Sequence, residues 1–192
     1  MEENNIETRF KIVVIGGSAG SLDVLFKLLP KLKWDLSPSI LIVLHRRNSG
    51  ESSLTELLAT KTIIPIREVE DKDPIQPGYI YLAPSDYHVL IEKDFTFALD
   101  SSEKINFSRP SLDVTFESAA EIYGSHLAGI ILSGANEDGT KGFQSIKKNG
   151  GTIIAQDPVT AQMPIMPQTA ISNTNIDFIL QINEIADFIN SI

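Results

Sequence analysis

The sequence contains no cysteine, which excludes disulfide scaffolds, thiol nucleophiles and cysteine-ligated metals. Histidine is also scarce. The three present, His45, His88 and His126, form no H-x-H or H-x-x-x-H pair, so no metal or other cofactor is expected. Basic residues are outnumbered, 16 Lys and Arg against 25 Asp and Glu, for a net charge of −9. A surface of that sign disfavours nucleic acid as a partner. No apolar run approaches the ~18 residues of a membrane span. The polar, acidic start MEENNIETRF is unlike a signal peptide, so a cytoplasmic location is the default expectation. The glycine-rich phosphate loop G-x-x-x-x-G-K-[ST] is absent as well.

What the chain does have is length and apolar residues enough for one domain of 192 residues with a substantial core. Residues 1–10 read as a tail and 11–192 as a single domain. Short apolar runs at 11–15, 40–44, 127–132, 152–155 and 177–180 read as strands. Helical spacing recurs at 22–32, 53–59, 113–123, 142–148, 168–171 and 182–189. A weaker strand is expected at 63–69. Within the helix at 113–123, Val114, Phe116, Ala119, Ala120 and Tyr123 are the candidate inward positions. The alternation predicts an α/β fold, a doubly wound, mostly parallel sheet in a three-layer sandwich. Strands packed closely between 78 and 99 leave no room for crossover helices, so an antiparallel hairpin insertion is expected there.

The organising stretch is KIVVIGGSAGS at 11–21. A buried strand runs into Gly16-x-Ser18-x-Gly20, the G-x-S-x-G form in which glycines let a serine sit exposed on a sharp strand-to-helix turn. A serine there is also an ordinary turn former or helix cap. A dinucleotide loop fits less well, because G-x-G-x-x-G needs glycine at Ser18 and an acid where His45 ends the second strand. His45 opens a polar strand exit, Arg46-Arg47-Asn48, and Asp138 lies in the turn-rich loop SGANEDG at 133–139. All three residues follow the carboxyl ends of strands, where sheets of this class gather their chemistry. Ser18 as nucleophile, His45 as base and Asp138 as orienting acid would make a hydrolytic triad. His88 and His126 are weaker candidates for the base. The order serine, histidine, acid differs from the common α/β-hydrolase order, in which histidine comes last.

Six ordered blocks now carry a resemblance: VVIGGSAGS at 13–21, IVLHRR at 42–47, GYIYLAPSDYH at 78–88, RPSLDVTFESAA at 109–120, ILSGANEDGTKG at 131–142 and AQDPVTAQMPIMPQTA at 155–170. The chain resembles the catalytic domain of the CheB-type chemotaxis protein-glutamate methylesterases. The resemblance implies hydrolysis of glutamate methyl esters on cytoplasmic helices of methyl-accepting chemoreceptors, with deamidation of receptor glutamines as a further activity. It implies a cofactor-free serine mechanism on Ser18, His45 and Asp138, with Ala19, Gly20, Ala135 and Met166 around the oxyanion and substrate. With no apolar run of membrane-span length, no membrane insertion is expected. Ala19 stands where the family usually has threonine, and Gly134-Ala135-Asn136 where it usually has Gly-Met-Gly. Its usual Gly-Met-Pro is here Ile165-Met166-Pro167. The family commonly carries an N-terminal receiver domain, and the nine residues ahead of strand one are too few for one. A stand-alone enzyme, control by a separate receiver-type partner, or a piece of a longer protein all fit. Two other functions stay open: a catalytically weakened binding module of this fold, and an esterase acting on a different ester.

Overall fold

The computed structural model describes residues 10–45 and 53–192. Apolar runs become strands here because both faces are covered. Every residue of β1 (Ile12–Gly17) and β2 (Ser39–Leu44) is buried. Between them come α1 (Ser21–Leu28) and a short 3-10 turn, Leu29–Lys31, with Pro30 where the helix stops. After α2 (Ser53–Ala59) come β3 (Ile66–Glu68), β4 (Ile80–Leu82), β5 (His88–Ile91) and β6 (Phe97–Asp100). Next are α3 (Leu112–Tyr123), β7 (Leu127–Ile131), α4 (Thr140–Lys148) and β8 (Thr152–Gln156). The chain finishes with α5 (Ile165–Asn173), β9 (Phe178–Leu180) and α6 (Ile182–Asn190).

Seven strands form one parallel sheet in the order β3-β4-β2-β1-β7-β8-β9, and β5 and β6 form a separate antiparallel pair. The period of two along each strand divides the core. Val13, Ile15, Ile40 and Ile42 face Leu25, Leu28, Leu58, Ile185 and Ile189 on α1, α2 and α6. Ile12, Val14, Leu41 and Val43 face Phe116, Phe143 and Ala170 on α3, α4 and α5, together with Val89 and Phe97 of the hairpin. The result is the three-layer α/β sandwich expected. Each buried Val, Ile or Leu side chain contributes roughly 1.5–3 kcal/mol.

Some details differ from the sequence reading. The run at 78–84 supplies β4 to the parallel sheet, so the hairpin is confined to β5 and β6. The strand expected over 63–69 shortens to three residues at the sheet edge. On α3, Leu112 and Thr115 are buried while Val114 is partly exposed. The helix expected at 168–171 starts earlier, because Pro167 lies in its first turn, where no intrahelical N–H is needed. Phe10 belongs to the core rather than to a tail, and its ring lies 5.9 Å from that of Phe188. The rest of the expected tail, 1–9, and the polar exit Arg46-Arg47-Asn48 lie outside the described residues. Among the described residues no helix is long and apolar enough to cross a membrane.

Candidate active site

β1 is central, with β2 on one side and β7 on the other, so strand order reverses at its carboxyl end. The parallel register ends with Gly17 opposite Leu44. Ser18 and His45 are therefore the next residues out on neighbouring strands, which lie about 4.8 Å apart in a sheet. Both strand ends are tied: His45 N donates to Gly17 O (3.1 Å) and Ser18 N donates to Ser133 O (3.0 Å). The turn beyond is locked by Ser21, whose N–H and hydroxyl both donate to Ser18 O. Gly20 completes it at φ 81°, in the left-handed region open to glycine. Gly16 is bare for another reason. A Cβ there would lie 2.7 Å from Leu112 Cδ2, so glycine lets the start of α3 settle over the end of β1.

That placement of α3 makes the site. Asp138, fully buried, directs its carboxylate at the first turn of α3. It accepts from Leu112 N (2.6 Å), Asp113 N (3.2 Å) and Ser111 Oγ (2.9 Å), and from Asn106 Nδ2 (3.3 Å). His45 Nε2 donates to Asp138 Oδ2 at 2.7 Å. Burial by itself would raise the Asp138 pKa, but the bonds from His45, Leu112 N–H and Ser111 outweigh it and hold the carboxyl below its ordinary value. An ionised carboxylate on a helix N-terminus also meets the positive end of the helix dipole. With Nε2 committed to Asp138, the other ring nitrogen, Nδ1, is the acceptor. Ser108 Oγ and Asn136 Nδ2 face it, each at 3.3 Å.

Ser108 and Asn106 come from a tight turn in which Ile105 and Ser108 exchange both backbone hydrogen bonds. Its central residues, Asn106 and Phe107, have φ 50° and 61°, the pattern of a type I′ turn. Asn106 Nδ2 reaches both Asp138 and Asp113 (3.2 Å to Asp113 Oδ2). Asp113 in turn accepts Gly139 N (2.9 Å) and Gly142 N (2.8 Å) at the start of α4. Its burial, with the nearby Asp138 charge, pushes its pKa up to about 6 against the pull of those two N–H bonds.

The structure thus joins His45 and Asp138 directly and sets Ser18 beside them in register. Among the described residues no hydrogen bond links Ser18 Oγ to His45, and the N–H groups of Ala19 and Gly20 have no acceptor. Ala19 and Ala135 are exposed. Met166 is fully buried, so it acts from beneath: its N–H donates to Gly134 O (3.0 Å), and its side chain fills the space a Cβ at Gly134 would need. Of the weaker bases, His126 lies at the opposite end of the sheet, ahead of β7. His88 is buried one residue away from the site, against Ser111.

Sequence reasoning missed the supporting shell of Asn106, Ser108, Ser111, Asp113, Ser133, Asn136 and Gln156. Ser133 Oγ donates to Ala19 O (2.8 Å) and accepts from Met163 N (2.9 Å), while Gln156 Oε1 accepts from Ser133 N (2.9 Å). The one available signal was the pairing of Ser111 with Asp113, an N-cap pattern ahead of an apolar helix.

Comparison with known proteins identifies the family and the fold. The family model of the CheB methylesterase matches residues 13–189. A Leptospira interrogans protein given the provisional name protein-glutamate methylesterase/protein-glutamine glutaminase is 43% identical over 93% of this chain and 92% of its own. A Thermotoga maritima protein-glutamate methylesterase/protein-glutamine glutaminase is 38% identical over 88% of this chain and 50% of its own length. The crystal structure of the Thermotoga maritima CheB methylesterase catalytic domain superposes with a TM-score of 0.90 at 35% identity, covering 96% of this chain and 99% of that one. With a matching sequence model, matching relatives and a matching fold, the chain belongs to the CheB methylesterase family.

Proposed function

We propose that this protein is a serine hydrolase that removes methyl groups from glutamate side chains of methyl-accepting chemoreceptors. The observation that carries the reading is the 2.7 Å bond from His45 Nε2 to the buried Asp138, which leaves Nδ1 as the base on the strand end paired with the one that leads into Ser18. Ser18 Oγ attacks the ester carbonyl as His45 Nδ1 takes its proton. Asp138, held ionised, fixes the ring tautomer and stabilises the imidazolium. The N–H groups of Ala19 and Gly20, which have no acceptor among the described residues, are the proposed donors for the oxyanion. Donation by backbone makes the alanine at 19 compatible with that role. His45 then protonates the leaving methoxide, methanol departs, and water activated by the same nitrogen cleaves the acyl-enzyme to free glutamate and serine. Glutamine deamidation follows the same path with ammonia as the leaving group, and the relatives' names pair the two activities.

The test is methanol release from a methyl-esterified receptor cytoplasmic fragment, run beside simple methyl esters. Release from the fragment that Ser18→Ala abolishes is the expected result. Undiminished release by Ser18→Ala would sink the serine mechanism. Turnover of simple esters alone would point to a different ester as substrate.

A further inference from the structure

His88 lies outside the proposed chemistry, yet it is fully buried and both of its ring nitrogens are engaged. Ser111 N donates to Nδ1 at 3.1 Å, so Nδ1 carries no proton. Nε2 faces the carbonyl oxygen of Glu103 at 3.0 Å, which requires a donor, so Nε2 carries it. The two contacts fix one tautomer of a neutral ring.

What those contacts hold is specific. Four donors follow one another at the start of α3: Ser111 N, Ser111 Oγ, Leu112 N and Asp113 N. The last three converge on Asp138, while the first goes to His88. Ser111 N precedes the helix and has no intrahelical acceptor. Left unpaired in a buried position, it would have to turn toward another acceptor and take the three following donors with it. The hairpin continues the attachment along α3: Thr115 Oγ1 donates to Val89 O (2.8 Å) and Ile91 N donates to Ser118 Oγ (3.1 Å). On its other side, the Glu103 contact ties His88 to the segment that sets Asn106 against Asp138 and Ser108 against His45 Nδ1.

We infer that His88 is a positioning residue for the hydrolase: through Nδ1 it fixes the Ser111 amide and so sets the orientation of the Asp138 carboxylate against His45. This rests on the functional reading above. The antiparallel pair is, on this account, the brace that carries His88.

Two substitutions separate the two ring contacts. His88→Asn puts an amide oxygen near the place of Nδ1 and keeps an acceptor for Ser111 N. His88→Gln reaches toward the place of Nε2 and keeps the Glu103 contact only. On a methyl-esterified receptor fragment, His88→Asn is expected to keep kcat within about threefold of wild type. His88→Gln is expected to lose about tenfold or more in kcat with KM nearly unchanged. Equal kcat for the two variants, or a loss expressed in KM alone, would overturn the inference. Should either variant fail to fold, ring 15N shifts of the wild-type protein decide. An unprotonated Nδ1 and a protonated Nε2 on His88 are expected, and a proton on Nδ1 would refute the arrangement. Wild-type protein that releases no methanol removes the functional reading, and this inference with it. Wild-type activity with matching variants removes only the role of His88.

Discussion

Asp113 and Asp138 each cap the helix that begins beside the other. Asp138, just ahead of α4, accepts the N–H groups of Leu112 and Asp113 at the start of α3, and Asp113 accepts those of Gly139 and Gly142 at the start of α4. The exchange locks the two helices in the geometry that presents Asp138 to His45, and it brings two carboxyls close together. Their protonation diverges: burial above all, with the Asp138 charge adding to it, pushes Asp113 up to about 6, while the bonds from His45, Leu112 N–H and Ser111 outweigh burial and hold Asp138 below its ordinary pKa.

The divergence fixes a pH dependence of stability. Asp113 binds its proton more tightly in the folded than in the unfolded chain. Its contribution is therefore full below its unfolded pKa and is lost as pH rises through about 6. Asp113→Asn keeps an oxygen for Gly139 and Gly142 but cannot ionise. Denaturant titrations at pH 4.5 and 7 should show the variant gaining on wild type with rising pH, by on the order of 1 kcal/mol. A difference that stays constant across that window would contradict the assignment. Asp138 behaves in the opposite sense: its contribution is present above its unfolded pKa and disappears in stronger acid.

Removing the acceptor at Asp138 should cost both function and fold. Asp138→Asn replaces one oxygen by a donor, which cannot serve both His45 Nε2–H and the N–H groups of α3. A drop in kcat of about 10³-fold or more is expected in the methanol assay. A loss of about 1–3 kcal/mol is expected by chemical denaturation, from buried donors left unpaired.

Phe107 offers a test of the turn above the histidine. It holds φ 61° and is 98% exposed, so its side chain gives the fold little. Phe107→Gly should be neutral or stabilise the protein by up to about 1 kcal/mol, since glycine suits that backbone. Melting temperature is the readout, and a clear destabilisation would mean that the turn is built differently.

Gly20 should be intolerant of a side chain. At φ 81°, a Cβ would lie 2.7 Å from Ser133 Oγ and 2.8 Å from Gln162 Cβ. Gly20→Ala is expected to cost about 1–2 kcal/mol through backbone strain. It should also lower kcat by shifting Ser18. Stability and turnover measured on the same preparation check both.

The fold was legible because buried strands such as 40–44 and 127–131 are continuous apolar runs, and because the first element ends in an unmistakable glycine turn. Ser18, His45 and Asp138 stood out because each follows such a strand. What surrounds them was not legible. By sequence Asp113 reads as a helix start, and His88 as no more than a weaker candidate for the base. Their roles depend on how α3 packs against α4 and the hairpin, contacts between residues some 23 to 29 positions apart. Met166 was placed near the substrate by the family resemblance, and only the packing under Gly134 shows that its side chain is buried.

The central claim is that Ser18 is the nucleophile, and covalent trapping tests it most directly. Wild-type protein, Ser18→Ala and Ser108→Ala are treated with a fluorophosphonate, and the modified residue is mapped by peptide mass spectrometry. Ser108 is the necessary comparison, because its hydroxyl lies 3.3 Å from His45 Nδ1. The account predicts a single adduct on Ser18 in the wild type and in Ser108→Ala, and none in Ser18→Ala. An adduct on Ser108, or no adduct on an otherwise folded wild-type protein, would contradict it.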